Sequence, residues 1–182
     1  MAHGDLRPTN ILLDDKDHCK LIDFDCAASF GSASSGGAPP WSRLNPESEG
    51  GDYGNYGAST ELFAIGSIVY YITRGYEPYG EPGTDAGPEV VDLLQRKDFP
   101  ILNQQNVLDR LIHDCWMGVY PSVAVLAQHA KRLPGAESMH EATALGKEYC
   151  EKMRQECRAL IEDGLLDLDV EVTSKAVSLA GA

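Results

Sequence analysis

The first 25 residues constrain this chain more than anything that follows them. His3-Gly4-Asp5-Leu6-Arg7-Pro8-Thr9-Asn10 leads into an apolar run, Ile11 to Leu13. Asp14-Asp15-Lys16-Asp17 then reads as a turn, and a second apolar run, Cys19 to Ile22, ends in Asp23-Phe24-Asp25. Two short apolar runs around a polar turn predict a β-hairpin. A hairpin brings the chain back to where it started, so Asp23 returns to the end that carries Asp5, Arg7 and Asn10. Asn10 and Asp23 offer hard oxygen ligands, which suit Mg²⁺, a cation that keeps waters and bridges substrate phosphates. Asp5 is placed to accept a hydroxyl proton and Arg7 to neutralise charge on a transferring phosphoryl group. Such parts fit phosphoryl transfer, where positioning and electrostatics supply most of the rate. Taken singly, each Asp or Asn reads as a turn residue; their joint spacing around a hairpin points to a site.

The rest of the chain supplies a scaffold. Phe30 to Gly57 is rich in Gly, Ser and Pro, including Gly31 to Gly37 and Pro39-Pro40, and is expected to be a long irregular loop. Ser59-Thr60-Glu61 then offers a helix start before Leu62 to Ile72. That helix is apolar nearly all round, which predicts burial on every side, and Gly75 should end it. Pro88 to Lys97 begins with Pro at a first helical position. Asn106 to Trp116 and Ser122 to Arg132 carry apolar residues at helical spacing. Glu137 to Asp163 reads as a longer amphipathic helix, and the tail from Val170 is weakly patterned. The expected fold is mainly α with one small hairpin. Tyr70, Tyr71 and Trp116 read as core, and Cys150 and Cys157, seven apart, as one packed helix face.

Charge and cysteine use narrow the function classes. The formal net charge is -13, from 28 acidic and 15 basic residues, and that field repels polyanions, which argues against nucleic-acid partners. The five cysteines show no CxxC pair and no Cys/His ligand spacing, which argues against zinc and for a reduced, intracellular, cytoplasmic chain. MAHGDLRPT has no apolar signal region, and Leu62 to Ile72, interrupted by Gly66 and Ser67, is too short to cross a membrane.

The amino-terminal residues resemble the protein-kinase catalytic loop H-R-D-L-K-x-x-N followed by D-F-G. The resemblance implies that Asp5 is the catalytic base and that Arg7 stands where Ser/Thr kinases place a Lys on the γ-phosphate. It implies that Asn10 and Asp23 bind metal and nucleotide, with Leu12 under the adenine, and that His3 and Phe24 form a packed pair behind the site. Further on, Asn45-Pro46-Glu47 is similar to the A-P-E that closes the activation segment. Thr60 to Gly66 resembles the opening of the central C-lobe helix, Arg74 to Tyr79 the T-G-x-x-P-F that follows it, and Cys115-Trp116 with Tyr120-Pro121-Ser122 and Leu126 a late C-lobe pattern. The chain thus looks like a kinase C-lobe over residues 1–133, with a helical extension and tail over 134–182. H-G-D-L-R-P with D-F-D looks most like a group of fungal kinase-like proteins. The implied activity is transfer of the γ-phosphate of ATP, with Mg²⁺, to a protein hydroxyl. Pro8 leans towards the Ser/Thr type.

Several positions depart from the family pattern. No Gly-rich loop, strand lysine, helix-C glutamate, adenine hinge or buried helix precedes the catalytic loop, so the chain is expected to be a fragment without an N-lobe that binds Mg-ATP weakly and turns over little. Gly4 replaces an Arg that receives a phosphate, which implies no dependence on phosphorylation of Ser32, Ser34 or Ser35. Asp25 replaces a Gly, stiffening the backbone and adding a third acid. Glu61 replaces an Asp that bonds the catalytic-loop backbone, with looser geometry expected. Ser122 stands near where the family usually has an Arg paired with the A-P-E Glu, which implies that Glu47 lacks that partner. Two rival readings follow: a small-molecule kinase of the aminoglycoside/choline type, in which Gly4 is normal, and a non-catalytic pseudokinase or scaffold.

Overall fold

The computed structural model describes residues 1–34, 37–45, 53–83, 87–136 and 145–164. These form two compact units, Met1–His140 and Glu141–Ala182. The described residues are mainly helical with one two-stranded antiparallel sheet.

The expected hairpin is present. A short 3-10 turn, Pro8–Asn10, leads into β1 (Ile11–Leu13), which pairs with β2 (Cys19–Leu21) in the register Ile11↔Leu21, Leu12↔Lys20 and Leu13↔Cys19. Asp14 holds the turn. Its Oδ1 accepts the backbone N–H groups of Lys16 and His18, each at 2.9 Å. Its Oδ2 lies 3.1 Å from His18 Nδ1 and 3.4 Å from Lys20 Nζ. The His18 N–H bond is the largest of the effects holding this carboxyl well below the usual range. A depressed carboxyl stabilises the fold above its ordinary pKa and loses that contribution progressively as pH falls below it.

The next helix, α1 (Ala58–Arg74), is the central element. It starts one residue before Ser59, because Gly57 is the extended cap and Thr60 reaches back to it. Gly57 N–H donates to Thr60 Oγ1 at 3.1 Å and that hydroxyl donates to Gly57 O at 2.7 Å. Gly75, at φ +79°, donates its N–H to Tyr71 O and ends the helix. Burial on every side is not observed. Leu62, Phe63 and Tyr70 are fully buried, but Tyr71 is 38% and Ile72 72% exposed, because one side of the last turns faces solvent. Tyr71 is therefore not core.

Three helices complete the first unit: α2 (Glu89–Arg96), α3 (Val107–Trp116) and α4 (Val123–Ala130). Pro88 caps α2 rather than opening it. Asn106 Oδ1 caps α3 by accepting from Leu108 and Asp109 N–H, and Ser122 Oγ caps α4 by accepting from Val125 N–H. Helix α3 crosses α1 closely at Gly66, where an added Cβ would sit 2.8 Å from Cys115 Cβ and 3.2 Å from the Trp116 ring. Only the missing side chain permits that approach. The core between them gathers Phe63, Tyr70, Leu94, Ile112, Trp116 and Leu44.

The Phe30 to Gly57 segment holds no helix or strand among its described residues, as expected, yet it is tied down. Ala33 bridges Asn55, and Gly31 N–H and Tyr56 N–H bond across the two ends. In its middle, Pro40 O accepts the Ser67 hydroxyl at 3.0 Å, and Ser67 Oγ in turn accepts Trp116 Nε1–H at 3.0 Å. Pro46, Glu47 and Ser35 lie outside the described residues. In the second unit, α5 (Lys147–Glu162) has no buried residue. Cys157 is exposed and Cys150 half-buried, so the packed face expected for them is not formed among the described residues. Residues 137–144 and the tail from Val170 also lie outside them. No described helix is long and apolar enough to cross a membrane.

Candidate active site

Glu61, in the first turn of α1, anchors the loop before the hairpin. Its nearly buried carboxylate accepts His3 N–H at 2.7 Å through Oε2 and Gly4 N–H at 3.4 Å through Oε1. The longer arm therefore gives one tight bond and one loose one. Ala2 pairs with Ala28 through reciprocal backbone bonds of 2.8 and 3.1 Å, which lays the segment after Asp25 beside the loop. Gly4 sits between them at φ +84°, and an added Cβ would lie 2.5 Å from the Cys26 carbonyl oxygen. This position accepts glycine for a steric reason the sequence alone does not reveal.

The hairpin then closes the constellation. Asn10 is buried, and its Nδ2 donates to both the backbone oxygen and Oδ2 of Asp5, each at 2.9 Å. Ile22 N–H donates to Asn10 O at 3.1 Å, and His3 Nε2 donates to Ile22 O at 3.0 Å. His3 Nδ1 faces Asp5 N–H at 3.4 Å. The loop, β1 and the end of β2 are thus cross-linked at one place. His3 packs on Phe24 with ring centroids 4.7 Å apart.

Asp23 follows at φ +64°, a left-handed conformation that Asp tolerates better than most residues. The neighbouring Asp25 carboxyl, through hydrogen bonding and then through its charge, raises the Asp23 pKa above the usual range; burial and the charge of Asp5 add to the effect. Asp25 is not among the left-handed residues, so the backbone freedom of a glycine is not used there. Arg7 lies at the same end, with Nε donating to Thr9 Oγ1 at 2.7 Å. Leu12 and Phe24 are 51% and 54% exposed, an open apolar surface beside the acids.

The donor set fits Mg²⁺. With Asn10 Nδ2 committed to Asp5, the amide oxygen is not spent on that contact, and Asp23 is exposed. No group of three or more His, Cys, Asp or Glu among the described residues forms a protein-only cage. Mg²⁺ commonly uses one or two carboxylates and completes its shell with waters and phosphates. Asp25→Gly should remove the largest cause of the raised Asp23 pKa. Mg²⁺ affinity, which rises as Asp23 deprotonates, would then reach its plateau at lower pH. Titrating Mg²⁺ across pH 4 to 7 checks this, and an unchanged profile would contradict it.

A mainly helical unit with a catalytic-loop hairpin set on a buried central helix defines a phosphotransferase-type lobe. The description "Protein kinase domain" matches residues 1–168, and the chain belongs to the protein kinase family. Among similar curated proteins, Serine/threonine-protein kinase CHK1 of Saccharomyces cerevisiae is 31% identical over 93 residues, 47% of this chain and 17% of that protein. Developmentally-regulated protein kinase 1 of Dictyostelium discoideum is 31% identical over 117 residues, 63% of this chain and 15% of that one. Serine/threonine-protein kinase ULK3 of Xenopus laevis is 28% identical over 162 residues, 84% of this chain and 35% of its own length. The chain thus spans about a third or less of these relatives.

Two features of this site lie beyond sequence reasoning. The Ala2–Ala28 pairing joins small apolar residues that carry no local signal. Tyr56, whose ring stands 3.2 Å from the position of a Gly4 Cβ, comes from a segment that reads only as loop.

Proposed function

We propose that this lobe serves ATP-dependent phosphoryl transfer to a protein hydroxyl, of the Ser/Thr type. The observation that carries it is the double hydrogen bond from Asn10 to Asp5, with Ile22, the residue before Asp23, bonded through its N–H to Asn10 O. Residues 1–133 would be the C-lobe proper and 134–182 an extension. Similarity to serine/threonine-protein kinases supports the Ser/Thr type, and the scattered cysteines with no CxxC pair support an intracellular setting.

In this reading Asp5 takes the proton of the acceptor hydroxyl, and Asn10 fixes its carboxylate through Oδ2 so that the other oxygen faces the substrate. Asn10 Oδ1 and Asp23 would hold Mg²⁺, which would supply charge screening for the phosphates and orientation of the nucleotide. Arg7 stands at the same end with a charge for the transferring group. Glu61 and His3 act on the reaction only by holding the loop. Leu12 and Phe24 offer apolar surface for the nucleotide base and the packed pair.

Thermal unfolding with Mg²⁺ and ATP tests this. A ligand held at about tenfold its Kd stabilises the native state by about 1.4 kcal/mol, so the melting point should rise for the chain and not for Asp23→Asn. Asp5→Asn should keep that rise while cutting any transfer to a Ser/Thr peptide by roughly 10²–10⁴-fold. A rise that needs no Mg²⁺ and survives Asp23→Asn would overturn the site. A pseudokinase is the second reading, favoured by Asp25 standing where the family has Gly and holding the Asp23 pKa up; it predicts the melting rise without transfer.

A further inference from the structure

Within a chain of net charge -13, positive side chains converge on a cavity that the phosphotransfer site does not use. Arg110 of α3 and Arg132, just past the end of α4, line a cavity of about 500 Å³ together with His129. Both arginines are exposed, and neither side chain enters an ion pair with a described residue. The acid on the same wall, Asp114, has its Oδ1 3.1 Å from His113 Nδ1. The His129 ring is fixed through Nδ1 by the Tyr120 hydroxyl. Val107 and Leu133 add an apolar wall beside the charges.

We infer that this cavity is an anion subsite for a phosphate monoester carried on a peptide. Each guanidinium is a rigid fork that matches phosphate oxygens two at a time, so two forks on one cavity suit a dianion with three acceptor oxygens. A single carboxylate would satisfy one fork only. The apolar wall has no use for a free ion, but it suits a side chain flanking a phosphorylated residue. A nucleic acid is disfavoured by the overall field of the chain. Occupancy of this cavity requires no catalysis, so the inference stands independently of phosphoryl transfer.

Fluorescence anisotropy at fixed ionic strength tests it, with a labelled peptide bearing one phosphoserine among apolar residues, its unphosphorylated twin, and inorganic phosphate as competitor. The phosphopeptide should bind at least about tenfold tighter than its twin, since bonds to charged groups contribute most of such preferences. Arg110→Ala/Arg132→Ala, with circular dichroism and melting point unchanged, should abolish the preference. Arg132→Gln alone should reduce it. Equal binding of the two peptides, no binding of either, or a preference unchanged in the double variant would each overturn the subsite. Inorganic phosphate competing at the same concentration as the phosphopeptide would overturn the assignment to a peptide.

Discussion

Arg74→Ala is expected to lower the unfolding free energy by about 3–5 kcal/mol, the range for stripping one partner from a buried ion pair. Asp109 is 2% exposed. Its oxygens accept Arg74 Nη2–H at 2.7 and 2.8 Å, and Oδ2 also accepts Asn103 N–H at 2.7 Å. The hydrogen bond to Asp109 is the largest cause of the raised Arg74 pKa, and the guanidinium lies 5.3 Å from the Tyr70 ring centre. Without Arg74, a carboxylate in the core keeps one backbone donor and no cation. The loss should spread, because this pair ties the end of α1 to the first turn of α3. Arg74→Lys should cost less than Arg74→Ala but still be measurable, since an ammonium gives up the Nη1 bond to Thr73 and the planar contact over the Tyr70 ring. Arg74→Met/Asp109→Leu should recover much of the loss, because removing both charges removes the desolvation cost as well. Urea unfolding of the four proteins measures this, and a change below 1 kcal/mol for Arg74→Ala would show that solvent reaches the carboxylate.

Gly4→Arg, which writes the family's H-R-D into this loop, should destabilise the protein rather than make it responsive to phosphorylation. The φ of +84° costs any L side chain roughly 1–3 kcal/mol. The new Cβ would also meet the Cys26 backbone oxygen at 2.5 Å, and a backbone atom cannot step aside as a flexible side chain can. The Ala2–Ala28 bridge and the Glu61 bonds to His3 and Gly4 would have to shift with it. Gly4→Ala should share most of the defect, since the clash begins at Cβ. A melting point within a degree or two of the parent for both variants would refute this, and so would a loop that gains activity when Ser32 or Ser34 is phosphorylated.

What the sequence made legible follows from how local each signal is. The hairpin was readable because turn residues and two apolar runs lie within a dozen positions, and the helix ends because Gly75, Asn106 and Ser122 act within a turn of themselves. The Asn10 to Asp5 hydrogen bonds link residues only five positions apart, so that contact lies within reach of local reading too. The Arg74–Asp109 pair was not, since its halves are 35 positions apart and each reads as an ordinary surface charge. The exposure of Ile72 was hidden too, because an apolar pattern states what can be buried and not how much partner surface exists. The start of α1 at Ala58 depended on Thr60 bonding backwards to Gly57, a choice between the adjacent hydroxyls of Ser59 and Thr60. The restriction at Gly4 came from Cys26 and Tyr56, which fold back onto it from later in the chain.

The most direct measurement is paramagnetic broadening of backbone amide signals by Mn²⁺, used as a stand-in for Mg²⁺. The hairpin supplies its own control, because acids stand at both ends: Asp5 and Asp23 at the open end, Asp14, Asp15 and Asp17 at the turn. If the open end is the metal and nucleotide site, the amides of Asn10, Asp23 and Phe24 broaden at Mn²⁺ concentrations that leave Asp15 to Asp17 sharp, and ATP lowers the concentration required. Equal broadening at the two ends, or broadening first at the turn, would mean that the amide and the two acids hold no metal in preference to any other exposed carboxylates, and the phosphotransfer site would fall with them.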